Sequence, residues 1–443
     1  RRAEMAMTLE AAAGHGGDPG TLPGALIVGG AHVSLAVARS LGRRGIPVWH
    51  LANHPLPRLS RYVQSSFPWP GAEHPDAVAS IVDVAVRHGL KGWVLFATGD
   101  EDMRVIAQNH ALLASHFRVV TANWDTTQWA YDKRLTYQHA AALGIDCPRS
   151  VQACDLETLR QSQLQFPVVL KPARRDAINE LTRAKAWKAD DRDALFSLYR
   201  RAAALVGDDA VIVQEWIPGN GEAQFSYAGL WDRGKPVASL VARRARQYPV
   251  DFGRSSTFVE TVEQEQIETL ACRFLRSLTY SGVVEIEFKY DRRDRRYKLL
   301  DVNGRFWTWT GLGELAGVDF PYLAWRQALG DDASCAPADA KTGVAWMYAS
   351  RDILAAFAEI ARGALTVRDY LAGFRKKLVF ASFAVDDPLP ALAEFPLLAW
   401  NRLTKRRDRD SGSRKFADDL TGGPPANAEP KTAADLEVSI HAD

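Results

Sequence analysis

Val283-Val284-Glu285-Ile286-Glu287-Phe288-Lys289 is followed, after the charged turn 291–296, by Lys298-Leu299-Leu300-Asp301-Val302-Asn303-Gly304-Arg305. Both runs read as strands, because apolar residues alternate or cluster over a length too short for a stable helix. Side chains in a strand alternate between two faces, so Glu285 and Glu287 share one face of the first run. Asp301 and Asn303 share one face of the second. If the two strands are neighbours, carboxylates and an amide oxygen converge. Magnesium favours such hard oxygen ligands, often one or two carboxylates, with phosphate oxygens completing its shell. Taken alone, the pattern describes a solvent-facing acidic hairpin equally well. The rest of the chain decides between the two.

Upstream, Phe166-Pro167-Val168-Val169-Leu170-Lys171-Pro172 is an apolar strand with a lysine at its end. A point charge placed there suits phosphate. Lys133, in Tyr131-Asp132-Lys133, lies on a helix predicted over 129–143 and closed by Gly144. The strand 210–217 contains Gln214-Glu215-Trp216-Ile217 and runs into Pro218-Gly219. By itself this is a buried strand ending in a tight turn. Glu222 follows Gly219-Asn220-Gly221 and, taken alone, reads as a hairpin surface charge. Strands on either side of Asp232-Arg233-Gly234 form a predicted hairpin, and Arg243, Arg244 and Arg246 fall at its far end. Of these, Arg244 is the candidate for meeting a phosphate or carboxylate, against a reading as solvated edge arginines. At the start, Ala25-Leu26-Ile27-Val28-Gly29-Gly30, a helix at 34–45 and a strand at 46–50 predict a βαβ unit and a parallel sheet. Helices are predicted at 77–88, 193–206 and 264–278. Thr98-Gly99-Asp100-Glu101 follows the strand 92–97, at the end of a parallel strand where ligands usually bind. It reads equally as a helix N-cap.

The order of these features resembles the ATP-grasp superfamily over residues 22–328: two lysines, a strand and hinge with Glu-x-x-Pro-Gly, a strand of alternating acids, then Asp-Val-Asn-Gly-Arg. No single motif is specific, but the ordered set is. The resemblance implies Mg2+ (or Mn2+) ligands at Glu287, Asp301 and Asn303. It implies phosphate-binding lysines at Lys171 and Lys133, and an adenine-reading hinge at Gln214, Glu215, Trp216 and Ile217. It further implies Glu222 on the ribose, and Arg305 and Arg244 on an acyl phosphate or carboxylate. Two features depart from the family pattern. Asp301 stands where most relatives have glutamate. Ala173-Arg174-Arg175-Asp176 is arginine-rich where the family has a glycine- or serine-rich phosphate loop. The Thr-Gly-Asp-Glu segment and Asp-Val-Asn-Gly-Arg-Phe-Trp are closest to the carboxylate–amine ligases, including D-aspartate-ligase-like proteins. The activity implied is an ATP-dependent ligation of a small-molecule carboxylate with an amine, through an acyl phosphate. Lys171, Arg244 and Arg305 are the residues expected to act in it.

The fold class expected is α/β and α+β: an ATP-grasp fold with an N-terminal Rossmann-like domain and a helical C-terminal extension. The expected boundaries are a disordered leader at 1–22, a pre-ATP-grasp domain at 23–125 and a small lobe at 126–217. A large lobe at 218–335, a helical extension at 336–403 and a disordered tail at 404–443 follow. Trp307 and Trp309 read as core in preference to substrate walls.

With 443 residues, 47% hydrophobic and 24% charged, the chain can bury a large core in two or three domains. A net charge of +2 gives no global field for nucleic acid. Cysteines at 147, 154, 272 and 335 form no zinc or disulfide spacing, which fits a cytoplasmic protein. No apolar run reaches the roughly eighteen residues needed to span a bilayer. The first residues carry no signal-peptide-like apolar segment. The competing functions are a biotin-carboxylase-like enzyme, a nucleotide-binding protein without catalysis, and a dinucleotide oxidoreductase. Gly29-Gly30-Ala31-His32 lacks the G-x-G-x-x-G spacing that the last requires. For 342–403 the expectation is packing against the lobes or a homodimer contact, ahead of a membrane-surface contact by the apolar 395–400 and basic Lys405-Arg406-Arg407.

Overall fold

The computed structural model describes residues 22–152, 155–174, 179–219, 221–248, 255–331 and 340–398. Described residues up to Leu392 belong to one compact unit. Of the second unit, residues 393–398 are described and are helical.

The first sheet is parallel, with the order β3 (Ser65–Phe67), β2 (Val48–Leu51), β1 (Ala25–Val28), β4 (Val94–Ala97), β5 (Arg118–Val119). All four residues of β1 are fully buried, as a continuous apolar run in a two-sided parallel sheet should be. The strand ends at Gly29 and Gly30, with φ of 90° and 67°. A Cβ at Gly30 would come within 2.5 Å of Ser34 Oγ and Thr98 Oγ1, so the turn admits only glycine. Because the chain adds β2 on one side of β1 and β4 on the other, a crevice opens beyond the carboxyl ends of β1 and β4. Asp100 begins the helix Asp100–Gln108 at that position.

A second, antiparallel sheet has the order β6 (Ser150–Gln152), β9 (Val211–Glu215), β7 (Val168–Pro172), β8 (Trp187–Ala189). The third sheet runs β14 (Arg296–Asn303), β13 (Gly282–Asp291), β10 (Gln224–Asp232), β11 (Lys235–Tyr248), β12 (Ser255–Val262), β15 (Ala345–Met347), β16 (Leu378–Phe380). The β10–β11 hairpin turns at Arg233 and Gly234, both at positive φ (44° and 76°), as a two-residue primed turn requires. In β13 and β14, Glu287 faces Asp301 and Glu285 faces Asn303 across the ladder.

Two expectations are corrected. The helix over 129–143 is two helices, Trp124–Tyr131 and Lys133–Ala142. Asp132 between them is extended (φ −98°, ψ 111°), and its carboxylate accepts the Arg134 N–H at 2.9 Å. An aspartate that caps a new helix competes with continuing the old one. Lys133 is therefore a first-turn residue, and its backbone N–H bonds Ala173 O at 3.1 Å, beyond the end of β7. The C-terminal extension is also not wholly helical. Ala345–Met347 pairs with β12 and Leu378–Phe380 pairs with β15. A buried apolar run that short is ambiguous by periodicity, and a free sheet edge made it a strand.

The same extension is fastened to the first sheet by the Asp386-Asp387 turn. Asp387, 1% exposed, takes Arg39 Nε at 2.9 Å, Ser60 Oγ at 2.7 Å and the Arg61 N–H at 3.0 Å. Asp387→Ala strands the buried Arg39 guanidinium. It is expected to lower unfolding stability by about 3–5 kcal/mol in urea titration, as loss of one partner of a buried ion pair does. A change within about 0.5 kcal/mol, the range of ordinary surface substitutions, would refute the role of this contact.

Candidate active site

Strands from the second and third sheets line a cavity of about 160 Å3. Lys171 enters from β7, Gln214 and Glu215 from β9, Trp216 and Ile217 from the hinge, and Glu287 and Lys289 from β13. Arg244, Asp301 and Lys133 complete the polar wall. Nine of the residues singled out in the sequence thus share one cavity.

The Lys171 ammonium is positioned by a chain of bonds. It donates to Gln214 Oε1 at 2.7 Å, Gln214 Nε2 donates to Tyr137 Oη at 3.0 Å, and Tyr137 donates to Leu300 O at 2.9 Å. Burial, reinforced by neighbouring Lys133, lowers the Lys171 pKa to about 8. Lys289 is a second cation in the same cavity and was not anticipated. It donates to Gly219 O at 2.7 Å and lies 4.7 Å from the centre of the Trp216 ring. Its pKa is lowered to about 8 by burial and then by Lys171. The signal was available: the period of two that groups Glu285 with Glu287 extends to Lys289. Gln224, also unanticipated, sits opposite both Lys289 and Arg244 in the ladders.

On the acidic side, each oxygen-bearing group is held. Glu287 Oε2 accepts from Gln224 Nε2 at 2.6 Å and Arg244 Nη2 at 3.3 Å. Asp301 Oδ1 accepts from Lys133 Nζ at 2.5 Å and from the Val302 N–H at 3.1 Å. Asn303 Oδ1 accepts from Arg305 Nη2 at 3.2 Å, while its Nδ2 donates to Glu285 Oε2 at 3.2 Å. The second Glu285 oxygen takes the Trp309 indole N–H at 3.0 Å. Glu285 is pushed above the usual carboxylate range, first by burial and then by Glu287. It orients the Asn303 amide and lies behind Glu287. Glu287 and Asp301 line the main cavity. Asp301 and Asn303 line a smaller one of about 30 Å3 that shares Lys133 with it and adds Asp100, Tyr131 and Arg174.

The donor set suits a hard divalent cation in kind: two carboxylates and an amide oxygen, on facing strands in register. Among the described residues, no group of three His, Cys, Asp or Glu side chains is arranged for a metal. The remaining ligands would have to come from phosphate and water. The Arg244 Nε is buried without a hydrogen-bond partner among the described residues, which leaves a donor for an anion.

A β-bulge separates the three arginines. The β11–β12 register shifts between Arg244 and Arg246, with Arg243 opposite Glu260, Arg244 opposite Val259 and Arg246 opposite Phe258. The extra residue returns Arg246 to the face of Arg243. Arg243 pairs with Glu260, Arg246 with Asp352 at 2.7 Å, and Arg244 alone turns to Glu287. Arg305 bridges the sheets: its Nε donates to Asp100 Oδ1 at 2.6 Å, tying the acidic hairpin to the crevice of the first sheet. Burial opposes its charge, yet the carboxylates of Asp100, Glu285 and Asp301 hold its pKa above the ordinary value. Glu222 lies outside the lining residues and is exposed, though its charge reaches Lys289. Trp307 and Trp309 are core residues. Arg174 lines the smaller cavity, and Arg175 and Asp176 lie outside the described residues.

Residues 211–350, which carry the hinge, both acidic strands and the arginine strand, match the family described as ATP-grasp in the biosynthetic pathway with Ter operon. The D-aspartate ligase of Enterococcus faecium (strain Aus0004) is 23% identical over 229 residues, 48% of this chain and 53% of that protein. The chain thus spans about half the length of this curated relative. Among solved structures, a biotin carboxylase from Campylobacter jejuni is similar with a TM-score of 0.58 and 14% identity, over 72% of this chain and 74% of that one. An L-amino acid ligase from Bacillus licheniformis gives a TM-score of 0.53 and 17% identity, over 72% and 78%. At such identities the structural likeness speaks to the fold alone. An antiparallel and a mixed sheet around a lysine- and acid-lined cavity, a parallel N-terminal sheet and the match over residues 211–350 agree on one architecture: the chain has the ATP-grasp fold.

Proposed function

We propose that this protein is an ATP-dependent ligase that joins a small-molecule carboxylate to an amine or related nucleophile and releases ADP and phosphate. The observation that carries the proposal is the single cavity in which Lys171, Lys133, Arg244 and Lys289 surround Glu287 and Asp301 beside the Gln214–Ile217 hinge. Its likeness to a D-aspartate ligase supports carbon–nitrogen bond formation.

In this reading the adenine rests between Trp216 and Ile217 against the hinge backbone, with Glu222 at the ribose edge. Lys171 and Lys133 neutralise the phosphates. Glu287, Asp301 and Asn303 would hold Mg2+ (or Mn2+), which withdraws charge from the phosphate oxygens. A carboxylate oxygen of the substrate attacks the γ-phosphorus, the bond to the β–γ bridging oxygen breaks, and ADP leaves. The amine then attacks the acyl carbon and phosphate departs with its oxygen. Arg244 faces the transferring phosphoryl group and Arg305 the carboxylate. Such catalysis rests on positioning and charge neutralisation and needs no nucleophilic side chain. On the same reading the lobes divide at residues 217 and 218, and the reaction is cytoplasmic.

Lys171→Ala is expected to lower substrate-dependent ADP release by at least about a hundredfold with an unchanged far-UV dichroism spectrum, in the range found when one preorganised charge donor is removed. Normal turnover in that variant would sink the assignment. A screen of amino-acid pairs for ADP and phosphate release, with mass spectrometry of the products, identifies the substrates. Exclusive AMP formation contradicts the acyl phosphate.

Proton linkage supplies a second test. With its pKa at about 8 in the free protein, Lys171 is charged below that pH and increasingly neutral above it. A polyphosphate favours the ammonium and raises its pKa. ATP affinity should therefore be level below pH 8, fall as pH rises through it, and be coupled to proton uptake there. Calorimetry at about pH 6.5 and about pH 9, in buffers of different ionisation enthalpy, reads the proton count. No uptake at the higher pH would exclude Lys171 as the phosphate partner.

A further inference from the structure

The helix Ala349–Ala361 is turned inside out. Its buried residues are Ser350, Asp352, Ala355 and Ala356. Its large apolar side chains, Ile353, Leu354 and Phe357, are exposed, Phe357 to 70%. A surface helix ordinarily does the reverse. The cause lies beneath it. The buried Arg246 guanidinium makes two bonds to Asp352, at 2.9 and 2.7 Å, and lies 4.1 Å from the Phe258 ring centre. This pair fixes the rotation of the helix and sends its apolar face outward. The same guanidinium lies 5.1 Å from the Tyr370 ring of the following helix, Val367–Ala372. That helix buries none of its residues, and Val367 and Leu371, one turn apart, are each 57% exposed. Phe374 just beyond it is exposed as well. The two helices and the turn after them thus leave six large apolar side chains between 42% and 70% exposed.

Charge narrows what would cover them. Arg362, Arg368, Arg375 and Lys377 are exposed around the patch, against Glu359 and Asp369. A second copy meeting this face about a twofold axis would set those cations against their own counterparts. The chain's own tail divides by charge: residues 402–415 hold seven Lys and Arg against two Asp and add cations to cations, while 416–443 hold six Asp and Glu against one Lys, and a tail seated on the patch would keep the full chain off a lipid surface. Apolar side chains rimmed by Lys and Arg, on helices lying flat on a protein surface, match the boundary of an anionic bilayer, where burial and charge attraction add.

We propose that the helical pair 349–377 docks the protein on an anionic lipid surface by Phe357, Leu371 and their neighbours. The test uses the full chain in flotation with phosphatidylglycerol–phosphatidylcholine vesicles and with phosphatidylcholine vesicles. Flotation with the anionic vesicles only, weakened by salt, is expected. Phe357→Glu with Leu371→Glu should lower the partition coefficient by more than about tenfold, since each change removes a buried apolar side chain and adds a repelled charge. Its melting temperature and ATP binding should stay unchanged, because both side chains are exposed and neither lines the cavity. Absence of flotation, equal flotation on neutral vesicles, or binding that survives the double variant overturns the proposal. So does a concentration-dependent dimer, seen by sedimentation velocity, that the same variant dissociates without any vesicle binding.

Discussion

The cross-strand register of β13 and β14 sets Glu287 opposite Asp301 and Glu285 opposite Asn303. Directly opposed side chains in such a ladder have Cβ atoms only about 5 Å apart, and like charges there repel. The hairpin is therefore an electrostatic liability unless cations surround it. The rest of the molecule supplies them. Lys133 comes from the helix after the first sheet, Arg244 from β11, Arg305 from the loop after β14, and Lys171 from the second sheet. Each of the three sheets is thus tied to one pair of strands by charge as well as by apolar packing.

This arrangement also separates the two halves of the site. Lys171, Lys289 and the hinge form a buried, cationic floor, where burial lowers the lysine pKa values towards neutrality. Such groups gain most when a polyanion arrives, because desolvation has already been met in the fold. Arg305 stands on the other side, bonded to Asp100 and Asn303, where the first sheet's crevice meets the acidic hairpin. Asn303, held by Glu285 and Arg305, joins the two regions through a neutral amide, whose charge does not change with pH.

Much of this was legible in the chain. The apolar runs at 25–28, 168–172 and 211–215 are strands because continuous burial demands them, and the glycines at 29, 30 and 234 mark turns that need positive φ. The period of two placed Glu285 with Glu287 and Asp301 with Asn303, and it would have placed Lys289 there too. Asp132 was harder to read. Its capping power breaks one helix into two, and a helix pattern that stays apolar on both sides conceals the break. Residues 345–347 were unreadable in another way, since a three-residue strand has no period of its own and forms because β12 offers an edge.

What the sequence alone determined is what local physics governs: the strands, the primed turn at Arg233-Gly234, and the acid and lysine positions on their own strand faces. What tertiary structure decided is which of those faces meet. A one-residue bulge at 244–246 sends Arg244 to Glu287 and Arg246 to Asp352, a division that the strand period of two does not give, since it puts both on one face. The outward face of Ala349–Ala361 has the same origin. The buried face of that helix holds Asp352 against a guanidinium more than a hundred residues away, a pairing that the helix's own sequence does not announce.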